Sequence, residues 1–97
     1  MPTYIQLLKF TQQGIRNIKD SPARLDAGKQ AVRAAGGEIK AFYLTMGQYD
    51  AIIIAEGPDD ETVAKVTLAT AAQGSVTTET LRAFTEDEYR AMVADPP

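Results

Sequence analysis

Residues 38–55 read EIKAFYLTMGQYDAIIIA. Glu38 to Met46 carries Ile39, Phe42, Tyr43, Leu44 and Met46 and predicts a strand. Gly47-Gln48 supplies a hairpin turn, and Tyr49 to Ala55 predicts the next strand. The unbroken run Ala51-Ile52-Ile53-Ile54-Ala55 suits a central strand buried on both faces.

The flanking sequence supplies the partners. Thr3 to Phe10 predicts a first strand, bounded by Pro2 and by Thr11-Gln12-Gln13-Gly14. One face holds Tyr4, Gln6, Leu8 and Phe10; the other holds Thr3, Ile5, Leu7 and Lys9. Both are largely apolar, so both need cover. Gly14 to Asp20 reads as short irregular or helical chain. Ser21-Pro22 reads as an N-cap followed by proline at the first helical position. That helix runs to about Ala35 and stops at Gly36-Gly37. Leu25, Gly28, Ala31, Val32 and Ala35 form its inward stripe, with Arg24, Asp26, Gln30 and Arg33 largely elsewhere.

Beyond the hairpin, Asp59 reads as an N-cap, with Asp60 and Glu61 in the first turn near the positive helix end. The second helix spans about Asp60 to Gln73 and ends at Gly74. Its expected stripe is Ala64, Thr67, Leu68, Ala71 and Ala72. Its other sides are also poor in charge, so a second cover is expected. The candidates are a partner subunit or the segment Thr85 to Ala94, a short acidic helix bearing Tyr89, Met92 and Val93. Ser75 to Phe84, rich in threonine, predicts a fourth strand at a sheet edge. Asp95-Pro96-Pro97 reads as a tail.

The order β-α-β-β-α-β predicts a ferredoxin-like α+β sandwich, a four-stranded antiparallel sheet with two helices on one face, plus the short C-terminal helix. Strands one and three are expected to be central and parallel. Tyr4, Leu8, Phe10 and half of strands two and three would then be apolar and bare, a patch of the kind that marks an interaction surface. The simplest cover is a second copy, whose sheet closes the first into a dimeric α/β barrel.

Ninety-seven residues predict one domain, 1–97. At 44% hydrophobic and 24% charged, the chain has the profile of a folded globule. Ten basic against thirteen acidic residues leave a net charge of −3, which disfavours nucleic acid and anionic membranes as partners. An RNA-binding sheet stacks bases on aromatics of strands one and three, and here the third strand has only Tyr49. The chain has no Cys and no His. A thiol nucleophile, a disulfide, a cysteine metal site, the usual general base and a proximal haem ligand are thereby removed. No cofactor and no metal are expected; Asp59-Asp60-Glu61 reads as a helix cap. Met1-Pro2-Thr3-Tyr4 lacks a leader pattern and no apolar run approaches ~20 residues, so the expected compartment is the cytoplasm.

Four segments in order carry a family resemblance: Asn17-Ile18-Lys19-Asp20-Ser21-Pro22, Gly47-Gln48-Tyr49-Asp50, Pro58-Asp59-Asp60-Glu61-Thr62, and Thr78 to Thr85. Together they resemble the GYD domain family, small proteins of the dimeric α/β-barrel group. The resemblance extends from Thr3 to about Tyr89. It implies the ferredoxin-like fold and dimerisation, and no established activity. Related barrel families include cofactor-free monooxygenases, isomerases and haem proteins, but fold does not set function.

Three groups are candidate sites. Tyr49 and Asp50 sit where the hairpin enters a buried strand; a desolvated Asp50 could serve as acid or base and the phenol as a hydrogen-bond donor. The plainer role is a positive-φ Gly47, a packed Tyr49 and an Asp50 that bonds turn N–H groups. Gln6 and Tyr4, with Tyr43, could orient a ligand on the sheet's open face; alternatively the Gln6 amide is satisfied across a dimer interface. Parity leaves Tyr43 on either face, because a bulge would shift it. Arg16, near Lys19 and Asp20, could hold an anion, or simply be solvated. The leading function is a dimeric module that binds a small apolar or oxygenated ligand. The alternatives are a cofactor-free oxygenase or isomerase using Asp50 with Tyr49 or Tyr43, and a structural or regulatory interaction protein with a packed interior.

Overall fold

The computed structural model describes residues 1–95; Pro96 and Pro97 of the expected tail lie outside the described residues. The elements follow the predicted order: β1 (Thr3–Phe10), α1 (Gln12–Arg16), a 3₁₀ turn (Ile18–Asp20), α2 (Ser21–Ala34), β2 (Glu38–Leu44), β3 (Ala51–Glu56), α3 (Asp60–Ala72), β4 (Val76–Ala83) and α4 (Glu86–Ala94). The sheet order is β2-β3-β1-β4, and every neighbouring pair is antiparallel. β1 and β3 are central as expected, but not parallel. A helical crossover returns β2 in the direction of β1, and the hairpin then reverses β3, so β3 must oppose β1.

The sheet is open, and the face that the helices cover is the reverse of the one expected. Leu8 pairs with Ala51, Gln6 with Ile53 and Tyr4 with Ala55, and residues directly opposite share a face. This face holds the buried Tyr4, Leu8, Ala51 and Ile53, with Ile39, Phe42 and Ala55 packed beside them. The Tyr4 hydroxyl donates to the Asp60 carboxylate on α3. The Gln6 amide donates to the Thr67 hydroxyl (2.7 Å) and to that of Thr80 (3.3 Å). Both faces of β1 are apolar enough to be covered. The face whose polar tips find partners on α3 is the one that goes inside, since a buried polar group without a bond is costly. Gln6 is thus satisfied within its own chain. The uncovered face carries Ile5, Leu7, Ile52, Ile54, Tyr43 and Leu81. A register shift between Ile39 and Ala41 places Phe42 inward and Tyr43 outward, which settles the parity of β2.

α2 begins one residue earlier than read: Asp20 occupies the cap without a side-chain bond, and Ser21 and Pro22 lie inside the helix. α3 starts as expected, with an Asp59 carboxylate oxygen accepting the Thr62 N–H at 2.8 Å. Its rotation differs from the expected stripe. Val63, Val66, Thr67 and Thr70 are half-buried, whereas Ala64 is exposed and Leu68 is 70% exposed. A helix apolar all round has little preferred inward side, so the bonds to Tyr4 and Gln6 set its rotation. α4 is closed by a capping box between Thr85 and Glu88, but it does not cover α3. All its residues, including Tyr89, Met92 and Val93, are exposed. Its first turn, Glu86-Asp87-Glu88, would be desolvated by packing on a charge-poor helix. No described helix is long and apolar enough to cross a membrane.

The strand ends are tied by short-range chemistry. The Thr11 N–H donates to the Ser75 carbonyl at 3.0 Å, and the Thr11 hydroxyl donates to that of Gly74 at 2.6 Å. Gly14 is pressed against this junction: a β-carbon there would lie 2.1 Å from the Ser75 carbonyl oxygen. Gly14→Ala should therefore force α1 off β4 and cost about 1–3 kcal/mol, read as a lower urea midpoint. A midpoint equal to wild type would show that the junction yields freely. A second prediction concerns acid. Bonds from the Thr62 and Thr85 backbone N–H groups hold the Asp59 and Glu88 carboxyls below their ordinary values. Their stabilising effect is complete above the unfolded-state pKa and is lost as pH falls through the folded one. Asp59→Asn with Glu88→Gln keeps acceptors at both caps but removes the titration. The double variant should lose less of its urea midpoint than wild type as pH is lowered from neutrality; superimposable acid curves would show that the caps play no part.

Candidate functional site

The side chains of α2 and α3 do not fill the space above the covered face. Neither helix contributes a fully buried residue. α2 presents Gly28, Ala31 and Ala35 toward the sheet, too short to close the gap. The result is a cavity of about 370 Å³ between the sheet and both helices, within the size range of small-molecule sites. Its wall is mostly apolar, with Leu8, Phe42 and Ile53 from the sheet, Leu25 and Val32 from α2, and Val66 from α3. Tyr4 lies at the end where β1 and α3 begin. Burial pushes its phenol above the ordinary value, and the bond to the Asp60 carboxylate pushes it further, so it stays a neutral donor. Gln6 and Thr67 are bonded to each other in the wall.

The opposite end, where β1 finishes and α2 starts, is marked by Arg24, which was expected to lie largely away from the inward stripe of α2. Its Nη1 donates to the Asn17 carbonyl at 3.1 Å. Its Nη2 is shielded from solvent and has no hydrogen-bond partner. A signal was present: Ser21, Arg24, Gly28, Ala31 and Ala35 recur at alternating spacings of three and four, one face of a helix.

Tyr49 and Asp50 lie outside this cavity. Gly47, at φ +125°, makes the turn in a conformation that side chains rarely adopt. The Asp50 N–H donates to the Leu8 carbonyl at 2.8 Å, and the Asp50 carbonyl accepts from the Thr45 N–H at 2.9 Å. The Asp50 carboxylate accepts the Phe10 N–H at 2.8 Å. The side chain thus extends the β1–β3 ladder one step past Ala51. Tyr49 reaches over the uncovered face, where its phenol donates to the Glu79 carboxylate at 3.1 Å and its ring lies 5.4 Å from the Lys9 ammonium. The bond to Glu79 is the main cause that raises this phenol above its ordinary value, with partial burial adding to it.

Of the six residues singled out in the sequence, the fold brings Tyr4 and Gln6 together in the cavity wall. Tyr43, 59% exposed, and Tyr49 belong to the opposite face of the sheet. Asp50 is built into the strand junction, and Arg16 is exposed at the end of α1. Among the described residues, no group of three or more acidic side chains is placed to hold a metal ion.

Two surfaces therefore stand out: the cavity under the helices, and the apolar uncovered face rimmed by Lys9 and Glu79. A family model described as the GYD domain matches residues 4–93. The "Glutamine synthetase and cystathionine beta-lyase binding protein" of Thermus thermophilus is 36% identical over 85 residues, covering 87% of this chain and 90% of that protein. The crystal structure of TTHA0845, also from Thermus thermophilus, superimposes with a TM-score of 0.55 at 23% identity, covering 88% of this chain and 95% of that one. At that identity the likeness concerns the fold alone. Matched over nearly its whole length, the chain belongs to the GYD domain family.

Proposed function

We propose that this chain is a one-domain interaction protein that works as a homodimer and docks onto metabolic enzymes. The observation that carries this proposal is the uncovered sheet face, where Ile5, Leu7, Ile52, Ile54, Tyr43 and Leu81 form an apolar surface that no described element of the chain overlies. A contiguous patch of this kind marks an interaction site. A second copy is its first occupant. Lys9 and Glu79 stand on the same face with opposite charge, so two copies related by a two-fold axis can pair them reciprocally. The residues that support the dimer are not those expected from the sequence, because Tyr4, Leu8 and Phe10 lie under the helices. The relative that binds glutamine synthetase and cystathionine beta-lyase supports enzymes of these two kinds as the further partners.

A second function, small-molecule binding, is favoured by the cavity. The site then differs from the one expected: it lies between sheet and helices, with Gln6 and Tyr4 in its wall, rather than inside a barrel. The oxygenase or isomerase alternative loses its acid/base candidate, because the Asp50 carboxylate is bonded to the Phe10 N–H and faces no cavity.

Sedimentation velocity and calorimetric titration test the proposal. Wild type should sediment as a dimer and give a saturable heat with purified glutamine synthetase or cystathionine beta-lyase from the same organism. Ile52→Glu should weaken the dimer by about a hundredfold or more, since an unpaired charge would be buried at its centre, with unchanged helical circular dichroism. A monomeric wild type overturns the dimer, and no heat with either enzyme overturns the choice of partners. Asp50 offers a separate check. Asp50→Ala leaves the Phe10 N–H without its acceptor and should cost about 1–3 kcal/mol, whereas Asp50→Asn keeps an oxygen there and should cost less. Equal stability in all three proteins would free Asp50 for chemistry.

A further inference from the structure

We propose that the cavity beneath α2 and α3 takes an uncharged chain-like molecule, a hydrocarbon chain ending in a hydroxyl or carbonyl group, and turns away the corresponding ions. This rests on the small-molecule function set out above and gives it a ligand class. The wall is apolar along most of its length, which selects a hydrocarbon body. The lining takes in each inward residue of β1 from Tyr4 to Phe10, a run of about 20 Å at the rise of an extended strand. A volume of about 370 Å³ spread over that length makes a channel, which suits a chain better than a compact ring system.

The lack of charge follows from what the wall offers. Its charged residues are Arg24, Glu56 and Lys65, and none is placed to balance a head group inside. Arg24 donates from Nη1 to the Asn17 carbonyl, outside the cavity lining, and its Nη2 is shielded from solvent and so from any ligand in the same space. Glu56 stands opposite Thr3, on the uncovered face of the sheet, with its carboxylate 3.8 Å from the Lys40 ammonium. The Lys65 side chain is 75% exposed and lies 3.7 Å from the Glu61 carboxylate, so its charge stays in water. An ion drawn into the cavity would give up its hydration with no opposite charge to replace it, a far larger penalty than a hydroxyl or carbonyl meets. The other polar groups of the wall are neutral, among them the Gln6 amide and the Thr67 and Ser75 hydroxyls. Groups of this kind can bond an alcohol or carbonyl oxygen, which is all that an uncharged end requires.

Three probes of equal chain length test this: 1-octanol, octanoate and octylammonium, each titrated by calorimetry at neutral pH. Wild type should bind one 1-octanol per chain, at least tenfold tighter than either ion, because burying a charge costs more than burying a hydroxyl. Gly28 supplies the control for location. A β-carbon there meets nothing within 4 Å, and leucine is a far better helix former than glycine. Gly28→Leu should fill the cavity and abolish octanol binding while keeping or raising the melting temperature; Ala31→Leu serves as a second block. If either ion binds as tightly as octanol and both are lost on blocking, the cavity binds small molecules but does not select against charge, and the inference alone fails. If octanol binding survives both blocks, the ligand lies elsewhere and the inference is overturned. If no probe binds wild type, the inference and the small-molecule function fall together.

Discussion

Tyr4 and Gln6 stand on one face of β1 and end in polar atoms, and α3 meets them with Asp60 and Thr67. Each such bond adds only about 1 kcal/mol net, but burying either tip without a partner would cost about 1–3 kcal/mol. The two faces of β1 are nearly equal in apolar content, so hydrophobic burial alone leaves them close to balanced. The polar tips break that balance. They bring Leu8, Ala51 and Ile53 inside, leave Ile5, Leu7, Ile52 and Ile54 outside, and set the rotation of α3. Both candidate surfaces follow from this choice.

The cavity is a consequence of small side chains rather than of a missing element. α2 turns Gly28, Ala31 and Ala35 toward the sheet, and α3 turns Val63, Val66, Thr67 and Thr70. Such residues cannot interdigitate with the sheet at the density of a closed core, and no residue of these two helices becomes fully buried. The buried set is drawn from the two central strands and their junctions. An interior of this kind forgoes dispersion contacts that a packed core would have. A ligand that filled the space would recover them, which links binding to stability.

The segment Gly47-Gln48-Tyr49-Asp50 ties the hairpin into the sheet. Gly47 makes the turn, Asp50 carries the β1–β3 ladder past its last residue pair, and Tyr49 spans β1 to reach Glu79 on β4. The hairpin is thereby locked to β1 and, across it, to β4. A four-residue signature of this kind holds the central strand pair in register and supplies one aromatic to the uncovered face. It places no group in the cavity, whose polar features come from β1, α2 and α3.

The order and type of the elements were legible in the chain from the apolar run at 51–55, the Asp59 and Thr85 helix starts, and the glycines at 36, 47 and 74. These are local signals, set by backbone conformation and by bonds spanning three or four residues. Family membership was legible for a related reason, since three of its four segments lie at turns and caps, while Thr78 to Thr85 runs along β4 into the cap of α4. Folding in three dimensions was needed to choose which face of the sheet is covered, the antiparallel relation of β1 and β3, the outward side of Tyr43, and the isolation of α4. Each depends on partners far apart in the chain: Tyr4 with Asp60, Gln6 with Thr67, Asp50 with Phe10. Arg24 shows the boundary between the two. Its spacing marked a helical face, but the bond of its Nη1 to the Asn17 carbonyl and the shielding of its Nη2 arise only in the folded chain.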